Sequence, residues 1–355
     1  MPPSSAVARQ WNFELPVSAL AVNRNGDWIA ITLGDGSLRL LPADKDAERP
    51  QEMKLHDGVS LSLQQDADAH AFLSGGDDGR LYIIDPTIEA PTLIAEPKNK
   101  WIDHVAASAD GEYRAYSIGK DVYLLDAEGK ETGAPFTHPS SIGGLAFSPN
   151  SKRLAASHYS GVSLWWTKAK ESVPAKLAWK GSHLNILWHP EGKILLTSLQ
   201  EGALHGWRLS DSNEMQMQGY SAKIHSMGFT AKGRYLATSG ASEIICWPFF
   251  GGGPWGKTPL TLGGRDARLV SRVAPHPKDE MVAAGYEDGM IIMAPMDGRM
   301  EMMIHPPVTE KGASVAGLAW NSAGDCLFAA LENGTLLLFT IDSVSHAVKT
   351  GGAGR

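Results

Sequence analysis

Cysteine is nearly absent from this chain of 355 residues, in which Cys246 and Cys326 are the only two. No apolar run approaches the roughly 18 residues that a membrane-spanning helix needs. The amino-terminal residues contain no apolar segment of the kind that a secretory signal requires. We therefore expect two buried thiols rather than a disulfide. We also expect a cytoplasmic protein without a membrane partner.

Basic residues are fewer than acidic ones: the chain has 32 lysines and arginines and 39 acidic residues, which gives a net charge of −7. A surface that binds the phosphate backbone of nucleic acids is usually strongly basic, so we expect no nucleic-acid partner. The chain has no Cys-x-x-Cys or His-x-x-x-His pair, although histidine precedes proline at His138, His189, His276 and His305. HisPro is ordinary turn chemistry, and the sequence predicts neither a metal site nor a cofactor.

What the chain does contain is a repeat. A segment of about forty residues recurs eight times, and each copy is predicted to form a strand, a Gly- or Pro-marked turn, a second strand, a tight turn and a third strand. A unit of this size cannot bury its apolar face alone and must stack on its neighbours. With strands in every unit, the closed arrangement is a β-propeller.

The copies agree column by column. Glycine follows the first strand at Gly26, Gly111, Gly192, Gly233 and Gly324, where we expect a positive φ. Bulky residues open the second strand at Trp28, Phe72, Tyr113, Leu154, Ile194, Tyr235, Met281 and Leu327. The third strand ends at Leu41, Ile84, Trp166, Trp207, Trp247 and Phe339. Such fixed spacing predicts that these side chains pack between neighbouring units.

At this point the chain resembles the WD-repeat family. The closing Trp-Asp pair of that family is kept as the acid in Ile84–Asp85 and Leu125–Asp126, and as the ring in Trp166, Trp207 and Trp247. The family's Gly-His pair survives in part, as His138 and as Gly219–Tyr220. The resemblance covers residues 9–341. It implies a propeller fold, which is known to serve many different functions.

The spacers between copies predict a fourth, outer strand in each unit. Seven such strands are expected, near Met53, Leu93, Pro135, Leu177, Met215, Leu260 and Met302. We expect Arg9–Leu15 to supply the missing one by pairing with Leu336–Thr340, which would close the ring without open edges. The prediction is eight four-stranded blades, or seven if the second unit is irregular. Residues 1–8 are expected to be flexible, 9–341 to form the propeller, and 342–355 to be a disordered tail.

Residues 251–258 read GlyGlyGlyProTrpGlyLysThr and match the phosphate-loop pattern of nucleotide-binding proteins. That site needs a helix beginning at the lysine, whose amino end holds the phosphates. Pro259 and a strand-like LeuThrLeu follow instead. We therefore predict a Gly-rich connection between a third and an outer strand. Trp255 within it is a candidate interface anchor.

The loops before each first strand and the turns between second and third strands are predicted to share one face. His183 stands there in an otherwise aliphatic column, and either a ligand role or a structural histidine explains it. Aromatic residues with lysine or arginine on loops are typical of protein recognition, although Trp101 and Trp179 could simply cover blade edges. With Trp255, the candidate partner-binding residues are Lys98, Lys100, Trp101, His138, Tyr159, Trp179, His183, Tyr220, Arg265, Arg268 and Tyr286.

No Gly-x-Ser-x-Gly motif occurs, nor the tryptophan-docking motif of quinoprotein dehydrogenases. We therefore predict a protein that is not an enzyme: a scaffold that holds protein or peptide partners on its loop face, as a monomer within a hetero-complex. The alternative is a propeller enzyme or small-molecule sensor that uses the central channel, with His183 among the polar contacts.

Overall fold

The computed structural model describes residues 6–169, 173–264 and 268–345. These ranges contain thirty β-strands, a short 3-10 turn at Phe250–Gly252 and a helical turn over residues 341–345. Neither helical segment of the described chain has the length and hydrophobicity to span a membrane. Cys246 and Cys326 are buried free thiols, and burial raises the pKa of each to about 12.

The strands pair antiparallel in sequence order. After β1 (Arg9–Asn12), the first sheet contains β2 (Val17–Val22), β3 (Trp28–Leu33), β4 (Ser37–Pro42) and β5 (Gln51–Lys54). The second contains β6 (Ser60–Gln65), β7 (Phe72–Gly76), β8 (Leu81–Ile84) and β9 (Thr92–Ala95), and the third β10 (His104–Ala107), β11 (Arg114–Ile118), β12 (Asp121–Leu125) and β13 (Phe136–Thr137).

The fourth sheet contains β14 (Gly144–Phe147), β15 (Arg153–Trp166), β16 (Ala175–Trp188), β17 (Ile194–Leu199), β18 (Ala203–Arg208) and β19 (Asn213–Met217). The fifth contains β20 (Met227–Phe229), β21 (Tyr235–Thr238), β22 (Ile244–Pro248) and β23 (Leu260–Leu262). The sixth contains β24 (Val270–Pro275), β25 (Met281–Tyr286), β26 (Ile291–Pro295) and β27 (Met302–His305), and the seventh β28 (Val315–Trp320), β29 (Cys326–Leu331) and β30 (Thr335–Thr340) together with β1.

The chain is an all-β propeller, but the expectation of eight separate blades is not met. The described residues form seven sheets, six of four strands and one of six, so the count fits the seven-blade alternative. The second unit is regular, however, and the cause lies in β15 and β16, which each run for 14 residues. β15 supplies the second and third strands of one repeat, and β16 supplies the outer strand of that repeat and the first strand of the next. Two consecutive repeats therefore share one continuous sheet.

The amino-terminal strand completes the last sheet, as predicted. β1 pairs with β30, with Arg9 opposite Leu338. The described chain includes residues on both sides of the predicted propeller range 9–341. The Ala6 amide donates to the Ile304 carbonyl at 2.9 Å, and Val344, expected to lie in a disordered tail, is buried in the helical turn over 341–345. Residues 1–5 and 346–355 lie outside the described chain.

Apolar clusters form between neighbouring sheets. In one of them Ile29 and Ile31 of the first sheet pack with Phe328 of the last. The Asn321 amide of the last sheet also donates to the Ala43 carbonyl at 2.9 Å. The two ends of the repeat array are therefore in direct contact.

The predicted columns mostly hold. The five glycines after the first strands all have positive φ, between 64° and 83°. At the end of the third strand Leu41, Ile84 and Phe339 are buried, as expected. Trp207 is also buried, whereas Trp247 is half-buried. Trp166 departs furthest from the pattern, because it is 47% exposed with the Arg153 guanidinium 4.5 Å from its ring. A register shift between Tyr159 and Gly161 precedes that strand segment, and the neighbouring Trp165 is buried instead.

Candidate interaction surface on the loop face

The loops that enter each first strand lie against the turns between second and third strands, and we call this side the loop face. Backbone hydrogen bonds join the two sets. The Ile102 amide donates to the Gly76 carbonyl at 3.1 Å, and the Ile142 amide donates to the Gly119 carbonyl at 2.8 Å. Because each loop is bonded to a neighbouring tight turn, the loop face is held in a fixed shape.

Three predicted residues come together in one depression of about 800 Å3, which we call the lysine depression. It is lined by Pro97, Lys98, Asn99, Lys100, Trp101, Asp103, Ile118, Gly119, Lys120, Asp121 and Tyr123. Trp101 is 64% exposed, the largest exposed fraction of any described tryptophan. Most of its ring surface is therefore accessible to solvent.

The turn beneath this loop requires glycine. Gly79 has a φ of +77°, and a Cβ built there would lie 2.5 Å from the Lys100 carbonyl oxygen and 2.6 Å from that of Pro97. The Asp78–Gly79 turn recognised in the sequence therefore sets how closely the lysine-bearing loop can approach the sheet.

A second depression of about 600 Å3 brings Tyr159, Trp179 and Tyr220 together, and we call it the aromatic depression. Tyr159 is 52% exposed. Trp179 is half-buried and stacks on His205, with ring centres 4.0 Å apart. The Tyr220 hydroxyl is occupied internally, because it accepts a hydrogen bond from the Trp247 indole at 2.7 Å.

Three predicted site residues, His183, Tyr286 and His138, are buried in the core. His183 is buried, with Nε2 facing the Trp179 carbonyl at 2.9 Å and Nδ1 at 2.7 Å from the Thr197 hydroxyl. Tyr286 is fully buried between sheets. Of the two roles considered for His183, these contacts favour the structural one, in which its bonded ring supports the backbone of Trp179.

His138 is buried in the same way. Its Nδ1 faces the Lys120 carbonyl at 3.1 Å, and its Nε2 accepts a hydrogen bond from the Trp165 indole at 3.0 Å. Burial lowers its pKa. The histidine therefore fixes the loop after β13 to the neighbouring turn and presents no free nitrogen to a partner.

Arg268 does not line either depression. Arg268 is exposed and lies 4.0 Å from Asp288, beside a third depression that Glu287, Glu310 and Glu332 also line. Arg265 lies outside the described residues. Apart from Trp255, the described members of the predicted set are therefore dispersed over the loop face. Their exposed members other than Arg268 line the lysine and aromatic depressions.

Trp255 lies on the opposite side, in the connection between β22 and β23. Its indole donates to the Glu214 carbonyl at 2.9 Å, and the Arg208 guanidinium covers its ring at 4.6 Å. The predicted Gly-rich connection is confirmed, since β23 follows the loop and no helix begins at Lys257. The Lys257 ammonium donates to the carbonyls of Phe250 and Gly253. Its charge is thus directed into its own loop.

His205 is a feature that the sequence reasoning missed. It is fully buried under Trp179, and within the described chain neither ring nitrogen has a hydrogen-bond partner. Burial, and then the nearby His183, lower its pKa to about 4. The sequence held a weak signal, because Arg39, Tyr82 and Tyr123 occupy the same third-strand position in other repeats. A histidine at this position therefore fits the polar and aromatic residues that the other repeats have there, and nothing in the sequence marks it as unusual.

Acid is expected to destabilise the protein through this histidine. His205 takes up a proton near its ordinary pKa of 6.5 when unfolded but only near about 4 when folded, so the unfolded state binds more protons between these values. The stabilisation is fully present above pH 6.5 and is lost as the pH falls to 4, by roughly 3 kcal/mol. Urea unfolding at both ends of this range should show a smaller loss for His205→Phe than for the wild type. Equal losses would contradict the prediction.

No family model matches the chain. A search of curated proteins finds similarity to telomerase protein component 1 of Rattus norvegicus, with 25% identity over 339 residues. The match covers 92% of this chain and 12% of the rat protein, so the chain spans only a small part of that relative's length. The repeat pattern and the four-stranded sheets show a β-propeller, and the similarity is consistent with the WD-repeat family.

Proposed function

We propose that this protein is a non-catalytic scaffold that binds protein or peptide partners on its loop face. The observation that carries the proposal is the exposure of Trp101 and Tyr159 on loops that backbone hydrogen bonds hold in place. Exposed aromatic residues on a rigid support are the usual anchors of protein interfaces, because they bury a large area at a small entropic cost.

The similarity to telomerase protein component 1 also supports the scaffold proposal. The rat relative is named as a protein component of telomerase, which describes it as part of an assembly. The contacts of Ile29 and Asn321 between the first and last sheets favour a closed and therefore rigid ring. Two buried thiols without a disulfide fit a reducing compartment such as the cytoplasm. We place the protein there, as a monomer within a hetero-complex.

A second candidate function is small-molecule binding in the central channel. A polar depression of about 310 Å3 opens among the first strands and is lined in part by Arg24, Gln64, His104 and Asn185. Among the residues that the structure describes, no carboxylate side chain lines it, which favours an anion over a cation. In the described chain no three histidine, cysteine or acidic side chains are grouped as metal ligands.

The scaffold proposal is tested by affinity capture from extract of the native host. The variant Trp101→Ala/Tyr159→Ala is expected to lose a partner that the wild type retains. Trp166→Ala/Phe250→Ala is the matched control, because it removes two exposed aromatic rings away from the loop face. A partner lost only with the loop-face variant supports the proposal. A partner retained by both variants, or lost equally with both, would place the interface elsewhere.

A further inference from the structure

We propose that the lysine depression recognises an acidic segment of the partner protein. In this arrangement aspartate or glutamate carboxylates face Lys98, Lys100 and Lys120, and an apolar side chain lies on Trp101. The inference rests on the proposed scaffold function and names the chemistry of its partner.

The charge of the depression comes from three ammonium groups that are free to pair. Lys98, Lys100 and Lys120 are exposed, and no hydrogen bond or ion pair joins their side chains to any described residue. Arg80, on the adjacent turn, behaves differently: it pairs with Asp57 at 2.6 Å and with Glu96 at 2.9 Å. The three lysines therefore form a local positive surface on a chain with a net charge of −7.

The two carboxylates in the depression are already engaged. Asp103 accepts a hydrogen bond from the Gly119 amide at 3.2 Å, and Asp121 accepts one from the Thr137 hydroxyl at 2.6 Å. Both side chains are partly buried, whereas the lysines project into solvent. Both carboxylates keep their charge, so the lining has three positive and two negative groups, but no ion pair joins either carboxylate to a described lysine. The three lysines therefore remain unpaired within the described chain.

The depression also provides an apolar anchor point. Trp101 is exposed, while the next residue, Ile102, is fully buried and fixes the loop to the sheet. Tyr123 on the opposite wall stacks on Tyr116 with ring centres 4.8 Å apart. A partner side chain on Trp101 would therefore bind a ring whose backbone is already ordered, which lowers the entropic cost of binding.

These observations favour a peptide over a single-stranded nucleic acid. Nucleic-acid channels combine a long basic groove with several rings on which successive bases stack. Here three lysines surround one highly exposed ring, with two aspartates beside them. Short acidic segments match this small surface better than an extended phosphate chain.

The test uses the full-length protein and a fluorescein-labelled oligoglutamate peptide with a central phenylalanine, followed by fluorescence anisotropy. The same peptide with glutamine in place of glutamate is the neutral comparison. We expect the glutamate peptide to bind at least about tenfold more tightly at low ionic strength. Its binding should weaken between roughly 50 mM and about 200 mM salt, as screening requires.

The variant Lys98→Glu/Lys100→Glu/Lys120→Glu should weaken binding of the glutamate peptide by at least about tenfold. Lys152→Glu/Lys232→Glu/Lys278→Glu is the matched control, because these lysines are also exposed but lie on turns at the opposite side. The control variant should bind within about twofold of the wild type, since distant charges are screened. Circular dichroism and the melting temperature establish that both variants are folded.

Three results would overturn the inference. The first is that the glutamate and glutamine peptides bind equally, or that neither binds up to about 1 mM. The others are an equal loss of glutamate-peptide affinity in the two triple variants, and tighter binding of an oligouridine RNA through the same lysines. Its failure is distinguishable from failure of the scaffold proposal. Suppose that capture of a partner requires Trp101 and Tyr159 but is unaffected by the lysine variant. That result would support the scaffold proposal and would contradict the inference that the partner binds through an acidic segment.

Discussion

Replacing Asp66 with alanine is expected to lower the free energy of unfolding by about 3–5 kcal/mol. Asp66 accepts two hydrogen bonds from Arg114, at 2.7 Å from Nε and 2.6 Å from the terminal nitrogen. Both side chains are buried, and the pair joins the second repeat to the third. Without Asp66 the guanidinium keeps its burial but loses its counter-charge, which is why the expected loss is large.

The control for this experiment is an exposed ion pair. Lys193 and Glu191 are 2.8 Å apart, but both side chains are mostly in solvent. Lys193→Ala should therefore cost less than about 1 kcal/mol. Urea denaturation followed by tryptophan fluorescence measures both variants.

The double variant Asp66→Leu/Arg114→Met distinguishes two contributions to the free energy of unfolding: the cost of leaving the Arg114 charge buried and unpaired, and the net contribution of the ion pair. Because it removes both charges and retains apolar volume, it should be more stable than Asp66→Ala. If Asp66→Ala costs no more than Lys193→Ala, the guanidinium of Arg114 reaches water, and the pair is not a buried link between repeats.

Trp188→Ala and Trp320→Ala are each expected to cost about 3–5 kcal/mol, as large-to-small core substitutions do. Trp188 is 7% exposed and its indole donates to the Ala146 carbonyl at 3.2 Å. Trp320 is 9% exposed and donates to the Ala274 carbonyl at 3.1 Å. Each tryptophan ends a first strand and binds the first strand of the preceding repeat, so truncation removes a packed ring and a link between repeats.

Trp101→Ala is the comparison for these two substitutions. Its ring is mostly in solvent, and no hydrogen bond from its indole to a described residue is present. The cost should be within about 0.5 kcal/mol, the usual range for surface substitutions. Equal losses at all three positions, measured by the same denaturation experiment, would show that the assignment of core and surface is wrong.

The difference between these tryptophans shows how far sequence reasoning extends. Trp188 and Trp320 each end a first strand in which apolar residues alternate, and this local pattern by itself indicates burial. His183 and Tyr286 were placed on the interaction surface because they lie near turns, yet both are buried. Position near a turn does not determine burial, since that depends on how the adjacent loop folds back over the strand end.

The prediction of eight separate blades was not met for a related reason. Each repeat was recognisable, but the sequence did not indicate that β16 would continue without a break from one repeat into the next. Whether an outer strand ends before the following first strand depends on hydrogen bonds to both neighbours, and those partners are far apart in sequence. The same is true of Asp66 and Arg114, whose pairing spans 48 residues.

Four features could be inferred from the amino-acid sequence alone: the β-class, the repeat, the glycine turns and the amino-terminal strand that completes the last sheet. These properties follow from local φ preferences and from the alternation of side chains along a strand, which are read within one repeat. The tertiary structure decided which aromatic rings are exposed and which lysines remain without a counter-charge. Exposure and pairing depend on contacts between repeats, so the lysine and aromatic depressions exist only once neighbouring repeats have packed together.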